Sequence, residues 1–147
     1  MSTRANIIFR EGKSRLYFYR HSDGYPSCVI PSLKNILGLL KKGARDDLNQ
    51  FCGWVILCGA QEYLGEPWNA SGNKDIKLKD YSPSGPGSCN WKVGAYEPTT
   101  GLHCDVEFIY EVTLDPVEIK VYTPKRDGMY KIRKGTLIDT ITIGEEK

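Results

Sequence analysis

The sequence has no apolar run long enough to cross a bilayer. The longest, Trp54–Cys58, falls far short of the roughly 20 residues a spanning helix needs. The opening residues, Met1 to Asn6, have no apolar core of signal-peptide length, so the protein is expected to stay in the cytoplasm where it is made. No charge of one sign dominates: 20 Lys and Arg stand against 18 Asp and Glu. That balance excludes an acidic mimic of nucleic acid and gives no strong nucleic-acid signal, which needs a clustered basic face. The five cysteines, Cys28, Cys52, Cys58, Cys89 and Cys104, contain no C-x-x-C pair, so zinc-ribbon and thioredoxin-like readings fail. An odd count without an export signal points to reduced thiols. Also missing are a P-loop, a dinucleotide fingerprint, a G-x-S-x-G elbow and an H-E-x-x-H helix, so the common nucleotide-hydrolase, dehydrogenase, esterase and metalloprotease templates do not apply.

What is there reads as one α+β domain over 1–147, a mostly antiparallel sheet with two helices packed on one face. Asn6–Arg10 and Arg15–Arg20 form a hairpin around Glu11-Gly12-Lys13-Ser14. Ser32 caps a helix after Pro31, with Leu33, Ile36, Leu37 and Leu40 on one side and Gly43 as its stop. Lys41 and Lys42 then suit the negative end of that helix better than a nucleic-acid patch. Asp46 or Asp47 can cap a second helix, Asp47 placing Gln50 where a capping box wants it, and Leu48, Phe51, Cys52 and Val55 follow at helical spacing. Residues 53–59 fit either a helix running to about Tyr63 or a buried strand between glycines, and the helix is favoured. A long loop, about 65–91, is rich in Pro, Gly, Ser and Asn, and 69–89 is expected to be the most mobile internal segment of the chain. Strands are predicted at Lys92–Tyr96, Leu102–Val112, Val117–Tyr122 and Thr136–Ile143.

The candidate site residues come from two patterns. Both histidines sit in H-x-D: His21-Ser22-Asp23 and His103-Cys104-Asp105. On a strand, i and i+2 share a face, so each motif aims an imidazole and a carboxylate the same way. Together His21, Asp23, His103 and Asp105 would suit a divalent metal, zinc or manganese, or an acid–base pair. Against this, Asp23-Gly24 is ordinary turn chemistry, and Asp105 suits any solvated strand face. The second pattern is aromatic. Tyr17 and Tyr19 share the face of His21, and Tyr25 follows, which gives rings able to stack a base or anchor a protein. The alternative is that a helix or the long loop covers them.

Met1-Ser2-Thr3-Arg4-Ala5-Asn6-Ile7, with Leu16-Tyr17-Phe18-Tyr19-Arg20-His21-Ser22-Asp23-Gly24-Tyr25-Pro26 and the segment Trp91–His103, resembles a family of small phage, prophage and prokaryotic proteins. The resemblance carries over no catalytic residue. Members of that family have Gly where this chain has Cys104, which separates Cys104 from any shared role. What the resemblance implies is an accessory protein acting on host machinery, including host defence. Two functions follow as expectations. One is a binding module that captures a host protein or a small nucleotide ligand. The other is a small metal-dependent or His/Asp hydrolase, phosphoesterase-like or nuclease-like.

Overall fold

The computed structural model describes residues 3–40, 47–63, 95–114 and 116–143. The expected helix end at Lys41–Gly43, the 65–91 loop, Cys89 and the start of the strand at Lys92 lie outside them. The order is β1 (Ala5–Glu11), β2 (Ser14–Arg20), α1 (Pro26–Leu40), α2 (Leu48–Tyr63), β3 (Glu97–Thr99), β4 (Phe108–Leu114), β5 (Val117–Arg126) and β6 (Ile132–Thr142). The fold is α+β.

The hairpin forms as its sequence dictates. Gly12 takes φ +58° at the turn, a left-handed conformation that glycine reaches without a Cβ penalty. β1 then pairs with β2 from Ala5↔Arg20 to Glu11↔Ser14.

The first helix starts earlier than predicted, at Pro26 rather than after Ser32. Pro26 supplies a preset φ at the first helical position, where no N–H is needed, and the Cys28 and Val29 amides donate back to the Tyr25 carbonyl. Pro31 lies inside α1 on its exposed side, where water can satisfy the carbonyl that the missing N–H leaves open. The second helix resolves the ambiguity at 53–59 in favour of a helix. Its Asp47 cap is in place: the Gln50 amide donates to Asp47 Oδ1 at 2.9 Å.

The sheet has six strands in the order β3-β2-β1-β4-β5-β6. It is mixed, not the mostly antiparallel sheet expected, because β1 and β4 run parallel, with Ala5 opposite Phe108 and Phe9 opposite Val112. Between the strands predicted at Lys92–Tyr96 and Leu102–Val112 lies β3, which pairs Glu97–Thr99 with Tyr19–Tyr17. Pro98 is tolerated there because β3 is an edge strand. The predicted strand from Leu102 begins only at Phe108. The alternation over 102–107 belongs to an irregular segment whose Leu102 and Val106 pack on one sheet face.

Two clusters define the faces. Ala5, Ile7, Phe9, Phe18, Tyr110, Val112, Ile119 and Val121 share a core with Val29, Leu33 and Ile36 of α1 and with Phe51 and Val55 of α2. The opposite face carries a smaller cluster of Ile8, Tyr19, Val106 and Ile109, with Tyr17, Leu102, Tyr122 and Ile132 against it. Tyr17 and Tyr19 thus share a face and Phe18 takes the other, as the alternation requires. The described cysteines, Cys28, Cys52, Cys58 and Cys104, are free thiols. Burial pushes the Cys52 thiol up to about 12, which makes it a small core residue. Among the described residues no helix is long and apolar enough to cross a membrane.

Candidate functional site

Topology creates the site. β3 pairs with the outer side of β2, and β4 pairs with the far side of β1. The chain from Thr100 to Glu107 must therefore cross β2 and β1 to join them. It crosses the face that carries Tyr19, and polar side chains of that face hold it. The His103 amide donates to Asn6 Oδ1 at 2.7 Å, and Asn6 Nδ2 donates to the Phe18 carbonyl at 3.0 Å. The Glu107 amide donates to the Arg4 carbonyl. Arg126, from β5, donates to the carbonyls of Cys104 at 2.7 Å and Val106 at 3.2 Å.

Tyr19 stands at the centre. Its ring stacks on His103, with centroids 4.1 Å apart and planes 17° from parallel. Its hydroxyl donates to Asp105 Oδ2 at 3.0 Å. With that proton committed, His21 Nδ1 is the donor in the 3.5 Å contact with the same hydroxyl oxygen. Arg4 Nε lies 3.4 Å from Asp105 Oδ2, as an ion pair without hydrogen-bond alignment. His103 Nε2 meets Thr99 Oγ1 at 2.8 Å. The structure thus gathers Tyr19, His21, His103 and Asp105.

It does not gather Asp23 and Tyr25 with them. Asp23 sits at φ +55° in the turn before α1, held there through its carbonyl by Arg20 Nε at 3.2 Å. Tyr25 donates to Asp23 Oδ1 at 3.4 Å, beside that helix. Among the described residues no group of three or more His, Cys, Asp or Glu side chains is placed to hold a metal ion. His21, Asp23, His103 and Asp105, the zinc or manganese set expected from the sequence, do not form such a group. Arg4, Asn6 and Thr99 are the residues that sequence reasoning missed. A polar Asn within the apolar run Ala5–Phe9 was the signal for one of them.

Burial, then the hydrogen bond to Asp105 and that carboxylate's charge, push the Tyr19 hydroxyl up to about 12. Burial raises Tyr110 as well. Below about pH 10 both phenols are neutral whether folded or unfolded. Above it the unfolded chain releases protons that the folded chain keeps, so stability falls as pH rises. Melting temperature is expected to start falling near pH 9, where the unfolded Cys52 thiol ionises while burial keeps the folded one protonated, and to fall further between about pH 10 and 12 as the two tyrosines add their share. Tyr19→Phe should flatten that fall. Thermal melts across this range check it, and an unchanged slope in the variant would remove Tyr19 as its source.

Beside the cluster lies an open hollow of about 440 Å³, lined by Tyr17, Gly101, Leu102, Asp127, Tyr130, Lys131 and Ile132. β6 makes this possible. Its register against β5 slips between Val121 and Tyr122 and again between Tyr122 and Pro124. Bulges bend and twist a strand, and the hairpin tip reaches the same hollow as Tyr17. Tyr130 and Met129 at that tip are exposed. No family model, no curated protein and no solved structure matches this chain.

Proposed function

We propose that this chain is a small phage-type accessory protein that acts by binding, in the host cytoplasm, and that its ligand is a nucleotide captured on the sheet face opposite its two helices. The observation that carries the reading is the hollow between Tyr17 and Tyr130. Tyr17 and Tyr130, with Leu102, Ile132, Lys131 and Asp127, line one open space. Rings of this kind stack a base, and the cation meets a phosphate. Capture of a signalling nucleotide would serve an inhibitory, anti-defence role, since sequestration needs no chemistry.

The hydrolase reading rests on the Asp105–Tyr19–His21 contacts, which form a chain of acid–base groups. It is the weaker one. His103 spends a ring face on Tyr19 and a ring nitrogen on Thr99, and Asp105 is engaged by Tyr19 and Arg4. These groups brace the crossing segment.

Calorimetric titration with AMP tests the proposal. Wild type is expected to bind, and Tyr17→Ala to weaken binding about tenfold or more, the scale of one lost base–aromatic stack. No heat from AMP, together with a host protein retained on the immobilised chain, would move the assignment to a protein ligand. Phosphate release from a nucleotide in the presence of zinc or manganese would favour the hydrolase.

A further inference from the structure

A second hollow, of about 550 Å³, lies along the β5–β6 hairpin. Four cationic residues line it, and the strand register divides them. Lys125 stands opposite Arg133, Arg126 opposite Ile132 and Pro124 opposite Lys134. Ile132 packs with Tyr17, so alternation sends Arg126 and Lys134 to the Tyr17 face. Both are engaged there, Arg126 with the Cys104 and Val106 carbonyls and Lys134 with Glu111. Lys125 and Arg133 take the other face as direct cross-strand neighbours, and both are exposed.

Like charges directly opposite one another destabilise an antiparallel pair. Asp127 relieves part of this, through the 2.6 Å contact of its Oδ2 with Arg133 Nε. That contact uses one of the guanidinium's five N–H donors. Lys125 has no ion pair among the described residues. Between them and Leu137 the outer strand bulges: three steps from Lys134 to Leu137 stand against two from Pro124 to Tyr122. Gly135 falls in the bulge. A Cβ there would stand 2.6 Å from the Thr123 carbonyl oxygen and 3.0 Å from the Lys125 amide nitrogen. Glycine lets β6 lie this close to β5 and adds no side chain to the hollow.

We infer that this hollow binds a phosphate dianion, free or as the phosphate of a small monoester, between Lys125 and Arg133. The site is independent of the nucleotide reading, since these two cations lie on the face away from Tyr17. Opposed residues of an antiparallel pair have Cβ atoms about 4.5–5.5 Å apart, so two long side chains can converge on one group. The guanidinium fork matches a phosphate bidentately, and the ammonium adds a point charge. An anion between them replaces one repulsion by two attractions. Two cations match a phosphate monoester, about −1.5 to −2 near pH 7, better than the single charge of a carboxylate or phosphodiester. Thr136 adds a hydroxyl to the same hollow.

The test titrates four probes into the isotopically labelled intact protein at constant ionic strength: inorganic phosphate, glycerol 3-phosphate, dimethyl phosphate and acetate. The first two are expected to shift the amides of Lys125, Arg133, Gly135 and Thr136, with Kd in the range of about 1–10 mM. The two monoanions should bind about tenfold more weakly, the scale of one lost charge-assisted contact. Tighter binding of glycerol 3-phosphate than of phosphate would assign the site to an organic monoester, and the reverse to the free ion. Lys125→Ala should weaken both about tenfold, and Lys125→Arg should restore them, with the melting temperature unchanged in each. Acetate binding as well as phosphate would overturn the dianion site. Unchanged affinity in Lys125→Ala, or no shift at these four amides, would overturn it as well.

Discussion

Phe51→Ala is expected to lower the free energy of unfolding by about 3–5 kcal/mol. Phe51 is fully buried, and its ring meets Phe9 edge-on, with centroids 5.0 Å apart and planes at 70°. Phe9 in turn meets Phe18 at 5.6 Å and 81°. Removing Phe51 opens a cavity at the point where α2 meets β1, and the two remaining rings cannot collapse into it without breaking strand register. A domain of this size has about 5–15 kcal/mol in total, so the variant would stand near its unfolding threshold. Leu57→Ala is the control. Leu57 is exposed on the same helix and should change stability by no more than about 0.5 kcal/mol. Urea denaturation of both variants measures the difference. A cost below about 1 kcal/mol for Phe51→Ala, small for a buried aromatic, would mean that α2 does not share the core with the sheet.

Asn6→Ala should cost about 2–4 kcal/mol, and its effect should be local to the crossing segment. Asn6 is fully buried and makes two hydrogen bonds, one to the Phe18 carbonyl and one from the His103 amide. Alanine leaves both backbone groups without a partner, and an unsatisfied buried group costs about 1–3 kcal/mol. The lost tie also frees His103, whose ring shields Tyr19. Amide hydrogen exchange gives the readout. The His103 amide is expected to exchange far faster in the variant, while the Phe9 and Val112 amides inside the sheet keep their relative protection. Equal acceleration everywhere would show global destabilisation and no special role for Asn6 in holding the segment.

The local signals in the sequence were legible where one element decides its own structure. The hairpin at Gly12, the Asp47 cap and the face alternation of Tyr17, Phe18 and Tyr19 all follow from residues a few positions apart. The sheet order was not legible. Whether β4 runs beside β1 or beside β3 is settled by contacts 100 residues apart, and the apolar alternation from Leu102 looks the same for a strand and for a segment pressed onto a sheet. That one error had two consequences. It made the i, i+2 argument for His103 and Asp105 invalid, since they are not on a strand. It also hid why they meet Tyr19, which is that the crossing passes over β2. Asp23 takes a positive φ in the turn before α1, so the strand periodicity used for it ends at His21. Tyr130 and Lys131 gave no local signal, because bulges inside β6 bring them to Tyr17.

The nucleotide site is tested most directly by titrating AMP into isotopically labelled protein and following the backbone amide resonances. Shifts are expected at Tyr17, Gly101, Leu102, Tyr130, Lys131 and Ile132, with little change at His21 and none at Asp23 or in α2. Shifts centred on His21 and Asp105, or no shifts at AMP concentrations in the millimolar range typical of weak ligands, would contradict the assignment.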